Sequence, residues 1–235
     1  MEKIHLPPRL ARIASLVPKG ARVADVGTDH GLLPIWLLQN GIAVSAVATD
    51  IRPGPLSRAE NNRRALGIES MRCVLCDGLE AVSPDEADTV VIAGMGGENI
   101  AEILRKAPWT ASETLLLLQP MSRPETLRAS LMDCGIEIIG EYLVMDSGRI
   151  YPVIAARGGK TGPCMEGELY TGRHELVSGE ELFPALLSSL TKKLDQAVGG
   201  LERSQREEDR LRLEHLRRVR RDLEVMRRKK NAESI

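Results

Sequence analysis

The sequence contains few aromatic residues and no long apolar run. Six of its 235 residues are aromatic: two Trp, three Tyr and one Phe. This scarcity argues against a β-sandwich and against a protein that holds nucleic acid chiefly by ring stacking. No run approaches the ~20 apolar residues that cross a bilayer, and no apolar signal segment follows Met1. We therefore expect a cytoplasmic protein with no membrane partner.

Cysteine is also scarce, with four residues in the chain. Cys73 and Cys76 have the CxxC spacing of a redox centre or half a zinc site. The sequence offers no second CxxC and no HxxxH to complete a tetrahedral set. The stretch 72–76 resembles a strand, in which an offset of three residues places the two thiols on opposite faces. The sequence therefore predicts structural cysteines in a reducing compartment and no metal.

The formal net charge of −1 conceals an uneven distribution. Residues 203–230 contain twelve Lys or Arg and six Asp or Glu, a net +6, which leaves −7 for the remainder. A basic end on an acidic body is typical of a protein that meets a polyanion. A solvated helix with internal ion pairs would have the same composition. Arg217 and Arg221 are our candidate contacts to nucleic acid in this segment.

Short apolar runs alternate with helical periodicities along the first two thirds of the chain. This alternation indicates βαβ units and a doubly wound, mostly parallel sheet covered on both faces. Two further β-rich runs flank Asp146-Ser147-Gly148, which predicts a final antiparallel hairpin. The predicted strands are 23–26, 44–49, 73–75, 89–93, 115–118, 136–145 and 149–156, and the predicted helices are 32–39, 55–66, 98–105 and 124–132.

The Gly- and Pro-bearing stretch 158–163 predicts a domain boundary, giving domains 1–160 and 161–235. From residue 180 onward the pattern is helical, and Gly199-Gly200 is expected to kink or end the first helix. Two apolar stripes predict a coiled-coil-like helical hairpin, closed within one chain or between two. The stripes are Leu182, Leu186, Leu190, Leu194, Val198 and Leu201, followed by Leu216, Val219, Leu223 and Met226.

The loop after the first predicted strand, residues 25–31, reads Asp-Val-Gly-Thr-Asp-His-Gly. Its glycines permit a sharp turn and close approach of a ligand, and the following helix points its amide N–H groups at the loop. No Gly-Lys-Ser/Thr follows, which excludes a P-loop. Asp29 stands where a dinucleotide fingerprint needs its second glycine. The loop therefore suits a ligand with a cationic centre and one carboxylate.

Two further carboxylates follow the next two predicted strands. Asp50 lies 23 residues after Gly27 and precedes Ile51, a position from which an acidic residue accepts hydrogen bonds from ribose hydroxyls. It is equally placed to cap the helix that follows. Asp77, before Gly78, can accept from an adenine amino group or simply form a turn. Together with the glycine loop, these positions describe a nucleoside with an amino-acid tail, S-adenosylmethionine.

The run Gly94-Met95-Gly96-Gly97 follows the fourth predicted strand. The Asn/Asp-Pro-Pro-aromatic set that amino-methyltransferases place there is absent, which argues against methylation of an exocyclic amine. Glycines here would let a target base approach closely. The candidate cofactor-binding residues are therefore Asp25, Gly27, Thr28, Asp29, Gly31, Asp50, Ile51, Asp77, Gly78, Gly94, Met95 and Gly96.

Three more residues are candidates for holding the substrate. Arg9, on a helix that opens at Pro8, would contact RNA phosphate or lie in solvent. Arg149 and Tyr151, beside the hairpin turn, would hold or stack on a base, although Tyr151 would equally pack in the sheet.

Three motifs resemble those of the bacterial tRNA adenine-22 N1-methyltransferases. Residues 24–34, 92–97 and 118–121 are similar to that family's ADIGSDHxxLP, IAGMGG and LQPN, and the resemblance spans about residues 9–157. Gly31 and Met121 depart from the pattern. The resemblance implies a Rossmann-like class I methyltransferase fold with a helical C-terminal domain and S-adenosylmethionine as cofactor. It also implies methyl transfer to N1 of an adenosine in tRNA, at position 22.

In that reaction the neutral adenine N1 attacks with its own lone pair and becomes cationic, so a nearby carboxylate would stabilise the developing charge. Asp29 is the expected catalytic residue and His30 an accessory. Alternatively, Asp29 caps the helix at Gly31 or contacts the cofactor's amino group. The competing functions are a class I methyltransferase with another RNA, protein or small-molecule acceptor, a binding module without catalysis, and a dinucleotide oxidoreductase.

Overall fold

The computed structural model describes residues 4–203 and 206–233. The chain divides into two compact units, Met1–Gly140 with Val144–Thr161, and Glu141–Leu143 with Gly162–Ile235. Within the described residues, no helix combines the length and the apolar character that crossing a membrane requires.

A seven-stranded sheet forms the centre of the first unit. Its strands are β1 (Ala21–Val26), β2 (Ala43–Asp50), β3 (Met71–Leu75), β4 (Thr89–Gly96), β5 (Leu115–Ser122), β6 (Ile136–Asp146) and β7 (Arg149–Gly158). The helices of this part are α1 (Pro8–Ala14), α2 (Leu32–Gln39), α3 (Pro53–Ala65), α4 (Gly97–Lys106) and α5 (Pro124–Asp133). Every strand and helix expected in this part of the sequence is present, with small shifts at the ends.

The strand order is β3-β2-β1-β4-β5-β7-β6. Strands β1 to β5 run parallel, and β7 pairs with β5 antiparallel. The order reverses between β1 and β4, so the connections leave these strands in opposite directions. A crevice opens at the carboxyl ends of the strands at such a point.

The middle of the sheet is covered on both faces. In β4, Val90, Val91 and Ile92 are all fully buried, and in β5 so is the run Leu116–Leu118. Consecutive residues of a strand point to opposite faces, so their joint burial requires helices on both sides. The apolar strand patterns predicted this layering correctly.

The second unit is helical, with α6 (Glu166–Thr171), α7 (His174–Val177), α8 (Phe183–Leu201) and α9 (Glu207–Glu233). Helices α8 and α9 pack against each other. The predicted stripe of α9 is buried, since Leu216, Val219, Leu223 and Met226 are at most 9% exposed.

This unit differs in detail from what the sequence predicts. The first helix begins at Phe183, and Phe183 and Leu187 are buried where Leu182 and Leu186 were expected to be. The helix continues through Gly199-Gly200 and ends at Leu201, directly after the glycine pair. The short helices α6 and α7 were not predicted, because four to six residues are too few to show a helical period.

Candidate functional site

The crevice in the first unit is a cleft of about 700 Å³ at the carboxyl ends of β1, β2 and β4. Most of the residues predicted to bind the cofactor, and Arg9, line this one cleft. Gly31 and Gly96 lie outside its lining, as do Arg149 and Tyr151. The predicted residues that the structure brings together are Arg9, Asp25, Gly27, Thr28, Asp29, His30, Asp50, Ile51, Asp77, Gly78, Gly94 and Met95.

Asp25, the last residue but one of β1, is buried, with 6% of its surface exposed. Burial raises the pKa of Asp25 to about 6, the Thr28 hydroxyl counteracts this by donating a hydrogen bond at 2.5 Å, and the charge of Asp50 adds to the rise. A buried carboxyl group whose pKa is raised and which lines a cleft is typical of a functional site. It is best stabilised by a cationic ligand.

The loop after β1 lines the cleft, and at Gly27 it has no side chain. The amides of Gly27 and Thr28 donate to the Thr49 carbonyl at 2.8 and 3.0 Å, which ties the loop to β2. Gly27 has φ +72°, and a Cβ there would lie 2.2 Å from Cε of Met95. Only glycine fits this position without strain, as the sequence predicted.

Asp29 adopts a left-handed backbone conformation with φ +45°, which is uncommon for a residue with a side chain. Its carboxylate is 61% exposed and lies 3.9 Å from Nε2 of His30. The N-cap of α2 is Gly31, which makes no side-chain capping bond. The alternative in which Asp29 only caps this helix is therefore wrong, and Asp29 lines the cleft.

Asp50 ends β2 with its side chain 4% exposed. Its Oδ1 accepts a hydrogen bond from the Arg52 amide at 2.8 Å. Arg52 is itself the N-cap of α3, so the alternative assignment of Asp50 as the cap was wrong. Asp50 closes a two-residue turn that directs the chain into the helix and leaves the carboxylate in the cleft.

Asp77 follows β3 and forms an ion pair with Nζ of Lys106 at 2.7 Å. Gly78 has φ +59°, and a Cβ there would lie 2.9 Å from Ile103. Lys106 and Ile103 line the cleft with Asn99, from one face of α4. Sequence reasoning missed these three residues, although their spacing of four and three residues is the signal of a shared helical face.

Residues Gly94 to Gly96 belong to β4 rather than following it. The register against β5 shifts on both sides of Met95, which marks an irregular strand end. Gly94, at φ +79°, is exposed to the cleft, and Gly96 is the N-cap of α4. We expected the strand to end before Gly94. The strand instead continues to Gly96 with an irregular end.

Arg9 is not a solvated arginine. Its Nε donates to Asp146 at 2.6 Å and its Nη1 to Oε1 of Gln119 at 3.0 Å, while its guanidinium lies 5.6 Å from the centre of the Tyr151 ring. Tyr151 is 9% exposed and packs within the sheet region, and Arg149 is exposed at the start of β7. Arg217 and Arg221 lie on α9 of the second unit.

The charges of the cleft favour a cation. Five carboxylates line it, against the three cations Arg9, Arg52 and Lys106. Lys106 is paired with Asp77, and Arg9 with Asp146. S-adenosylmethionine carries a sulfonium and an ammonium against one carboxylate, so the charge of this cleft suits it. Among the described residues, no group of His, Cys, Asp and Glu is placed to hold a metal ion.

The buried Asp25 makes stability depend on pH. Because its pKa rises from 3.8 to about 6 on folding, its contribution to stability is fully present below pH 4 and is lost as the pH rises through 6. Asp25→Asn should therefore raise the free energy of unfolding of the ligand-free protein by on the order of 2 kcal/mol at pH 8 and by little at pH 4. Urea unfolding at both pH values measures this. Glu113→Gln, at an exposed site, is the control, and an equal effect at both pH values would contradict the prediction.

The chain matches the model of the methyltransferase domain over residues 6–154. It is 35% identical over 170 residues to the tRNA (adenine(22)-N(1))-methyltransferase of Bacillus subtilis, covering 71% of each chain.

Solved structures agree with this likeness. The crystal structure of the B. subtilis tRNA methyltransferase of the same 1-methyladenosine-22 class matches with a TM-score of 0.86 and 26% identity, over 95% of this chain and 99% of that one. A Streptococcus pneumoniae protein of that class, solved in complex with S-adenosyl-L-methionine, matches with a TM-score of 0.77 and 31% identity, over 90% of this chain and 98% of that one. The chain therefore belongs to the tRNA (adenine(22)-N(1))-methyltransferase family.

Proposed function

We propose that this protein transfers a methyl group from S-adenosylmethionine to N1 of an adenosine in tRNA, at position 22, giving 1-methyladenosine. The observation that carries the proposal is the single cleft in which a bare glycine loop and the carboxylates of Asp25, Asp50 and Asp77 meet at the ends of three adjacent strands. A tRNA substrate would place the enzyme in the cytoplasm.

Each carboxylate has a distinct part in holding the cofactor. Asp50 would accept hydrogen bonds from the ribose hydroxyls, and Asp77, kept in place by Lys106, would accept from the adenine amino group. Asp25 and the Gly27 loop would hold the amino-acid end. When bound, the cofactor would supply a sulfonium methyl group for attack by a lone pair, and its sulfur would leave as the neutral thioether of S-adenosylhomocysteine.

The chain's own contribution to the transfer is positioning and charge. The neutral adenine N1 needs no general base, so holding it in line with the methyl group supplies most of the acceleration. Methylation leaves a positive charge on the base. The carboxylate of Asp29, which lines the cleft, would stabilise that charge as it develops, with Nε2 of His30 3.9 Å from it.

The direct test uses the full chain, tritiated S-adenosylmethionine and tRNA lacking the modification. The tRNA is then digested to nucleosides and separated by chromatography. Label in 1-methyladenosine is expected, and loss of label from a tRNA with guanosine at position 22 would locate the site. Label in another nucleoside would contradict the N1 assignment. No label, with cofactor bound, would point to another acceptor or to a binding module.

Asp29→Asn tests the proposed electrostatic role. Asparagine has the same size and also tolerates a left-handed backbone, so the loop should keep its shape. Because the charge acts mainly in the transition state, kcat should fall about 100-fold while the Kd for S-adenosylmethionine stays within about threefold. Single-turnover kinetics and calorimetry measure the two quantities. A loss of cofactor binding with kcat unchanged would instead assign Asp29 to the cofactor's amino group.

We further propose that the domain 161–235 contacts RNA while 1–160 binds the cofactor and catalyses. Four arginines of α9, at spacings of seven, four and seven residues, share the face opposite its buried stripe over about 27 Å. Arg217 pairs with Glu202 at 2.6 Å, whereas Arg221 and Arg228 form no ion pair with any described residue. The four are Arg210, Arg217, Arg221 and Arg228.

Part of the basic charge of α9 is neutralised within the second unit. Arg218 pairs with Glu166 at 2.7 Å and Arg220 with Asp195 at 2.5 Å, both on other helices. These two ion pairs therefore link α9 to α6 and α8. On the outward face, Arg221 and Arg228 form no such pair with any described residue and are available to contact phosphate.

The double variant Arg221→Ala/Arg228→Ala should weaken tRNA binding without altering chemistry. Two lost phosphate contacts should raise KM for tRNA and make the dependence of log K on log salt shallower by about 1.5, with kcat unchanged. Lys192→Ala/Lys193→Ala, on exposed positions of α8, removes the same charge elsewhere and is the control. Equal effects of both variants would mean that net charge, and not this face, attracts the tRNA.

A further inference from the structure

Arg9 joins three separate strands at one side of the cleft. Its guanidinium bonds Asp146 at the end of β6 and Gln119 in β5, and it lies over the ring of Tyr151 in β7. The hydrogen bond from Arg9 is the largest cause that lowers the pKa of Asp146, so this carboxyl is a charged partner. The arginine side chain is 23% exposed and lines the cleft.

Gln119 transmits this arrangement to β4. It is fully buried, and its Oε1 accepts from both Arg9 and the Gly94 amide, the latter at 3.2 Å. Its Nε2 donates to the Pro120 carbonyl at 3.0 Å. Turning the amide over would place its NH2 group against two donors, so its orientation is fixed. The Gly94 peptide is thereby held to α1.

Gly94 is the point where the cleft wall is bare. A Cβ added there would meet Nη1 of Arg9 at 4.0 Å and no other atom within that distance. Its φ of +79° is held by the strand distortion and by the bond to Gln119. The space over Gly94 is therefore open, and Arg9 borders it.

We propose that Arg9 is a positioning residue for methyl transfer. Through Gln119 it fixes the Gly94 peptide, and this peptide would form the side of the cleft against which the acceptor base packs. The inference rests on the proposed function. A misplacement of about 1 Å at a reacting centre costs on the order of 100-fold in rate, so a wall held by several hydrogen bonds has a kinetic consequence. Arg9 need not touch the base.

This role differs from the phosphate contact expected from sequence. The ion pair with Asp146 offsets the charge of Arg9, and Nε and Nη1 already donate to protein acceptors. A phosphate contact acts on tRNA affinity and on its salt dependence. A positioning role acts on kcat. The two hypotheses therefore predict different kinetic parameters.

The test compares Arg9→Lys and Gln119→Met with wild type in the full chain, using unmodified tRNA. Lysine keeps the charge, but its single ammonium group cannot reproduce the forked donation to Asp146 and Gln119. Each variant should lower kcat by roughly 10- to 100-fold, with KM for tRNA, its salt dependence and the Kd for S-adenosylmethionine within twofold. The double variant should be no slower than the slower single variant, because both interrupt one connection.

Arg22→Lys is the matched control, since Arg22 also pairs with a carboxylate, Asp88, but lies outside the cleft lining. Its kcat should equal that of wild type. A raised KM with a shallower salt dependence and unchanged kcat in Arg9→Lys would overturn the proposal in favour of a phosphate contact. A parallel loss of thermal stability and cofactor binding would reduce Arg9 to a structural role. Failure of the wild type itself to methylate tRNA would instead contradict the proposed function.

Discussion

The reversal of strand order between β1 and β4 is the constraint on which the site depends. Parallel strands place all their carboxyl ends at one edge, and a reversal leaves a gap there that no connection covers. Residues 25, 50, 77 and 94 are far apart in sequence, yet each stands within two residues of the carboxyl end of a strand in this region. A ligand that fills the cleft can therefore contact residues from four successive βα connections.

Glycine and aspartate residues have different roles at this edge of the sheet. The glycines remove side chains where the backbone approaches the cleft, as at Gly27, where a Cβ would collide with Met95. The carboxylates create a field that favours a cation, and the buried Asp25 does so at a cost to folding, since burial raises its pKa to about 6. Such a cost is typical of a residue retained for binding rather than for stability.

Most of this frame was predictable from the sequence because strand and helix periods are local. The positions of Asp25, Asp50 and Asp77 follow from counting residues to strand ends. The α4 face with Ile103 and Lys106 was missed because it depends on how that helix lies against the Gly78 turn. The bonds of Arg9 were missed for a related reason, since Asp146 and Gln119 are 137 and 110 residues away in sequence. No local pattern encodes contacts of that range.

The charge distribution poses a problem that the helical unit is suited to solve. A cleft lined by five carboxylates attracts a cationic cofactor but repels the phosphates of an RNA. The body outside residues 203–230 carries −7, so general attraction cannot bring a polyanion to it. We therefore propose that affinity for tRNA comes from a local concentration of positive charge outside the acidic cleft. The four arginines on one face of α9 provide such a concentration, on a different unit of the chain from the one that contains the cleft.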